Sequence, residues 1–196
     1  EQYPFGKYLN ASVNGKKLDY EHMEPPFQII QRLYRHASKM EKRDEYITED
    51  GITVTPVLIR TVLNNTMSGK LAFIRADKER VKMTWPDNCP APYEYFGCAV
   101  RSADTNRPVV AFTRRPGMIV SYETIGTWVD GIPESDKDHY IIALFVLNSE
   151  NTLNGIPDIK LEEYIRKGEK ADHTSWNDYN VNNTKNPRIV SRIQTG

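Results

Sequence analysis

The stretch His139-Tyr140-Ile141-Ile142-Ala143-Leu144-Phe145-Val146-Leu147 constrains the fold of this chain more than any other. It is a nearly continuous apolar run, bounded by Asp138 and Asn148. It is too short for a membrane span and has no polar stripe, so it reads as a strand buried on both faces. A strand of that kind needs a sheet around it, and the flanking sequence supplies candidates. Val, Ile and Thr over 52–63, residues 70–76 and 80–85, 97–101, 108–113 and 118–124 all read as strands. Pro56 confines the first of these to an edge or a bulge, because proline has no amide proton to give a ladder. Asn14-Gly15 between residues 7–13 and 16–20 is a hairpin signal, since both residues accept the positive φ of a primed turn.

Two helices stand out from the strands. Pro26 opens the first, and Phe27, Ile30, Leu33, Tyr34, Ala37 and Met40 fall on one face of it. Asp158 is the expected cap of the second, with Leu161, Tyr164 and Ile165 turned inward and Gly168 as its stop. Asn186-Pro187, followed by Ile189, Val190 and Ile193, signals a third that has barely begun where the sequence ends. The sum is α+β: a mostly antiparallel sheet of seven or eight strands with two or three helices on one side. The 196 residues form one domain on this reading, with 1–50 (hairpin plus helix) and 51–180 (main sheet) as sub-units. The first residues, Glu1-Gln2-Tyr3-Pro4, and the interrupted last helix make the chain look excised from a longer protein. The alternative is a processed mature protein with a short terminal helix.

Composition excludes several classes. Hydrophobic residues are 39% of the chain and charged ones 27%, enough for a packed core. Lys plus Arg and Asp plus Glu stand at 26 each, so net charge gives no indication of a nucleic-acid surface. No apolar run approaches the roughly 18 residues of a membrane helix. Cys89 and Cys98 flank a Pro- and Tyr-rich loop and read either as two thiols or as one disulfide. His22, His36, His139 and His173 are scattered outside any metal-ligand spacing, so no metal site is expected.

Two constellations could carry function. The first is Arg114-Arg115-Pro116-Gly117 between two strands, where a stiff Pro-Gly corner presents paired guanidiniums. Arg114, Arg115 and Gly117 are its candidate contacts for a phosphate or an acidic partner. The ordinary alternative is a solvated strand end. The second is the cluster Glu169, Asp172, His173, Trp176 and Asp178. Were the helix to run on through Gly168, then Glu169, His173 and Trp176 would share a face, and a carboxylate beside His173 would suit a proton carrier. Its alternative is an anchor around a buried Trp176. Tyr93, Tyr95, Trp85 and Trp128 could likewise form a stacking platform for a sugar or base, or plug the ends of the sheet.

The segment Val110-Ala111-Phe112-Thr113-Arg114-Arg115-Pro116-Gly117-Met118-Ile119-Val120-Ser121-Tyr122 resembles part of bacterial proteins that carry a GHKL-type ATPase domain. These are relatives of the gyrase, chaperone and Microrchidia group, some of them associated with defence systems. The likeness extends over about residues 109–178: a buried strand at 141–147, a helix at 161–167, then Glu169, His173 and Trp176. The Asn14-Gly15 hairpin would be the entry to this region. What the resemblance implies is the transducer-like module behind the ATPase, with ATP and magnesium held in a neighbouring domain and no cofactor in this piece. Arg114 or Arg115 would reach the γ-phosphate. The expected function is thus a non-catalytic coupling or interaction domain of a cytoplasmic, ATPase-linked protein. Its partner would be the neighbouring domain, with a homodimer also compatible and no membrane contact. The rival readings are a secreted β-rich glycan- or ligand-binding module and a hydrolase using His173.

Overall fold

The computed structural model describes residues 11–23, 25–40, 44–58, 67–77, 108–115, 117–130, 132, 139–153, 159–172, 174–178, 190 and 193. The hairpin strands β1 (Ala11–Val13) and β2 (Lys16–Leu18) form a two-stranded sheet. Asn14 (φ 50°) and Gly15 (φ 76°) are both left-handed, as a primed two-residue turn demands. Helix α1 follows at Pro25–Lys39. The main sheet contains β3 (Tyr46–Ile47), β4 (Thr53–Leu58), β5 (Met67–Asp77), β6 (Val109–Arg114), β7 (Met118–Glu123) and β8 (His139–Leu147), in the order β3-β4-β5-β8-β6-β7. Helix α2 spans Leu161–Gly168. The strands expected at 80–85 and 97–101, Cys89, Cys98, the loop tyrosines and the cap Asp158 lie outside the described residues.

The fold class is α+β, but the sheet is mixed. β8 is antiparallel to β5 and parallel to β6; the other neighbouring pairs are antiparallel. The β6–β7 hairpin keeps β6 on its inner side, and β8 enters between β5 and β6. Pro56 satisfies both conditions set by its missing amide proton. It lies beyond the residues of β4 that pair with β3, and next to a register shift at Val57/Leu58.

The expected one-sided helix cover does not hold. Successive side chains of a strand point to opposite faces, and here both faces are packed. Ile142 and Leu144 of β8 join Val109, Ala111, Ala72, Ile74 and the apolar stripe of α1, including Ile30, Leu33 and Ala37. Ala143, Phe145 and Leu147 face the other way, into Val110, Phe112, Leu161, Tyr164, Ile165 and Trp176. Helices α1 and α2 therefore cover opposite faces, and the apolar run of β8 is the middle layer. Val190 and Ile193 are helical and buried against the α2 face.

Helix α1 is tied to the β3–β4 turn by charge as well as packing. Arg32 pairs with Asp50, which also accepts the Thr48 hydroxyl proton. Partial burial alone would raise the Asp50 pKa. The hydrogen bond from Thr48 and then the Arg32 guanidinium outweigh it and hold the carboxyl at about 2, against an ordinary 3.8. A carboxyl depressed in the folded state adds stability above its unfolded pKa and loses it as pH falls through the folded one. The Asp50 carboxyl should therefore titrate near 2 by NMR, and Arg32→Ala should move it up toward 3.8. An unmoved titration would show that Arg32 does not set it.

Candidate functional site

The adjacent arginines at the end of β6 have different surroundings. Side-chain alternation puts Arg114 on the same face as Val110 and Phe112, the face covered by α2. Its side chain is only 7% exposed. Its Nε donates to Glu169 Oε2 at 2.5 Å and its Nη2 to Glu169 Oε1 at 2.8 Å, a two-pronged pair. Nη1 donates to the Arg115 carbonyl at 3.0 Å and lies 3.7 Å from Glu162 Oε1. Nη2 also meets the Met118 sulfur at 3.4 Å. The expected outward pair of guanidiniums is therefore corrected for Arg114: it points into the protein. Glu169, with a side chain 3% exposed, is the acid that holds it there.

Arg115 does point outward, with its side chain 65% exposed. The turn that separates the two arginines closes with Gly117 N–H donating to the Arg114 carbonyl at 2.7 Å. Gly117 has φ 113°, a conformation glycine adopts without penalty. Its amide proton thus belongs to the turn, which leaves the side chain of Arg115 as the outward donor at this corner. Arg115 Nη1 pairs with Glu150 Oε1, and the other oxygen of the same carboxylate accepts from Lys160 Nζ at 2.6 Å. Lys160 first, then Arg115, hold the Glu150 carboxyl below the usual carboxylate range.

Helix α2 begins directly behind this pair. Lys160 is its N-cap residue and makes no side-chain cap. Backbone carbonyls satisfy the first amides instead: Leu161 N–H donates to Asn151 at 2.7 Å and Glu162 N–H to Ser149 at 3.3 Å. The Ser149 hydroxyl donates to Glu162 Oε2 at 2.6 Å. Ser149, Glu150, Lys160, Glu162, Glu163, Arg166 and Lys167 line an open cleft of about 390 Å³. Lys167 pairs with Glu163 at 2.8 Å across one helical turn. Arg166 makes no ion pair among the described residues.

The second constellation is not a continued helix. The chain leaves α2 at Gly168, and Glu169 is extended, with φ −76° and ψ 138°. Asn177 N–H donates to the Gly168 carbonyl at 2.7 Å, and Lys170 N–H to that of Ser175 at 3.0 Å. Glu169 and Trp176 face each other in an antiparallel bridge. A Cβ at position 168 would sit 2.9 Å from the Asn177 carbonyl oxygen, so this return needs glycine. Asp172 shapes the exposed tip by accepting from Thr174 N–H and hydroxyl at 3.1 and 2.7 Å, and that hydroxyl chiefly lowers its pKa. Trp176 is 4% exposed and meets Phe112 edge-on at 6.0 Å. It anchors the return against the sheet. Asp178 is buried, accepting from the Tyr164 hydroxyl and from Val190 N–H. His173 lies outside the described residues.

Trp128 is not part of a stacking surface. Its ring packs against Phe112 and Phe145 at 5.6 and 5.5 Å, and its indole N–H donates to the Ile193 carbonyl at 2.5 Å. Among the described residues, no group of three His, Cys, Asp or Glu side chains could hold a metal ion. No helix among the described residues is long and apolar enough to cross a membrane.

The structure joins Arg114 to Glu169, turns the Arg115 side chain outward to Glu150 and leaves Asp172 at the exposed tip. Sequence reasoning missed Glu150, Lys160, Glu162 and Arg166. Glu162 had a signal: it is an acid in the first turn of a legible helix, where negative charge is favoured. Glu150 had none, because only the fold brings it beside residue 115. No protein-family model, no curated protein and no solved structure matches this chain.

Proposed function

We propose that this chain is a non-catalytic coupling module of a larger, ATPase-linked protein, and that Arg115 is the side chain it offers to a phosphate held by a neighbouring domain. The carrying observation is the division of labour between the arginines. Arg114 is locked to Glu169 beneath the sheet face, which stiffens the corner. Arg115 stands in solvent on that corner and, among the described residues, its side chain is held only by an exposed carboxylate. Exposed ion pairs are weak and screened by salt, so the carboxylate can give way to another anion. The likeness of residues 109–178 to the region behind a GHKL-type ATPase domain supports the choice of a nucleotide phosphate as that anion. The Arg114 guanidinium is taken up by Glu169 and the Arg115 carbonyl, which supports a positional role for it.

The test is direct. The purified chain with magnesium and ATP should show no turnover above background. It should bind ATP weakly, with amide shifts centred on residues 115–118 and 160–167. Arg115→Gln should weaken that binding roughly threefold to tenfold, the range for one charge-assisted contact near the surface. Turnover by the chain alone, or binding indifferent to Arg115→Gln, would overturn the reading.

A further inference from the structure

The corner and the cleft meet at one carboxylate. Glu150 gives one oxygen to Arg115 and the other to Lys160. These cations come from different elements, the β6–β7 turn and the N-cap of α2. Side chains from two elements thus converge on the two oxygens of a single anion. The two oxygens of a carboxylate and two oxygens of a phosphate are spaced alike, and arginine binds both in the same two-pronged manner. Arg166 and Lys167 line the same cleft. Lys167 pairs with Glu163, whereas Arg166 makes no ion pair among the described residues. Arg166 therefore places a positive charge that Glu150 does not neutralise within reach of a larger anion. The first two amides of the helix do not contribute, because they are bonded to backbone carbonyls.

We infer that Glu150 is a built-in stand-in for a phosphate: its carboxylate occupies the seat between Arg115 and Lys160, and a nucleotide phosphate binds by displacing it. The inference rests on the coupling role proposed above and adds a brake to it. In the absence of phosphate the seat is closed by the chain's own acid. When a phosphate arrives, Glu150 is expelled and the 149–153 segment that carries it is released from the turn. That segment also supplies the carbonyls at the start of α2, so occupancy of the seat is transmitted to the helix.

The experiment titrates inorganic pyrophosphate, ATP and O-phosphoserine into the intact chain and into Glu150→Gln, Glu163→Gln and Glu150→Gln/Lys160→Gln, following amide shifts at low salt. Glu150→Gln should bind pyrophosphate and ATP roughly tenfold tighter than the unchanged protein, since the competing charge is removed. Glu163→Gln removes the same charge from the same cleft but touches neither Arg115 nor Lys160, and it should gain far less. Removing Lys160 as well should cancel the gain. Equal gains from Glu150→Gln and Glu163→Gln would reduce the effect to general electrostatics and overturn the inference. So would a Glu150→Gln variant that binds no tighter, even where Arg115-dependent ATP binding upholds the coupling role. Tightening for pyrophosphate and phosphoserine but not for ATP would uphold the seat and remove the nucleotide as its occupant.

Discussion

Arg114→Met should lower the unfolding free energy by about 3–5 kcal/mol, measured by urea denaturation with an unchanged slope. The guanidinium is buried, and its loss leaves Glu169 charged in the interior with a side chain only 3% exposed. An unpaired buried charge costs more than the pair contributes, so the partner determines the size of the effect. Two further variants separate this explanation from simple loss of packing. Arg114→Met/Glu169→Met removes both charges and should recover most of the stability. Arg114→Lys keeps a positive charge but not the two-pronged geometry, and it should fall between the two. A single Arg114→Met variant within about 1 kcal/mol of the unchanged protein would show that the pair does not hold the corner. In that event the stiffness attributed to the β6–β7 turn would also be lost from the argument for Arg115.

Phe145→Ala should be as damaging, at about 3–5 kcal/mol. Phe145 is fully buried in the central strand. It meets Phe112 at 5.9 Å and Trp128 at 5.5 Å. Its ring also lies over Gly69 of β5, where a Cβ would collide with it. Three neighbours on three segments cannot all close over the gap, so the cavity term adds to the lost burial. Denaturation should show the loss, and tryptophan emission should shift to the red as water reaches Trp128. A cost below about 1.5 kcal/mol would mean that the α2 face is a minor core.

Much of the architecture could be read from local patterns because those patterns are local physics. The nine residues of β8 carry their own evidence of burial, Asn14-Gly15 specifies its turn, and the stripe on α1 is its packing face. Pro56 even announced its edge position. What could not be read locally depends on pairing at a distance. The parallel contact of β6 with β8 joins Val109 to Ile142 across the intervening β7, and nothing in either strand names the other. The two-sided helix cover had a visible cue, since a strand apolar on both faces requires material on both. The site divides in the same way. An arginine before Arg-Pro-Gly looks like a surface residue, and its acid lies 55 positions downstream. Yet alternation from Val110 and Phe112 placed Arg114 on an interior face, and that cue outranked the composition of the turn. Lys160 was hidden because nothing local marks a lysine as the N-cap residue; the carbonyls of Asn151 and Ser149, ten or more positions away, accept the first amides.

The neighbours at the centre of the sheet have a consequence for the order in which this protein assembles. β5 joins β8 in a ladder that runs from Gly69 with Leu147 to Asp77 with His139. On a ribosome, β5 would wait exposed while the chain up to β8 is made. Closing so large a loop before any reward makes folding slow. A nascent chain halted before residue 139 would present β5 with one side of its ladder open, a template for joining another copy edge to edge.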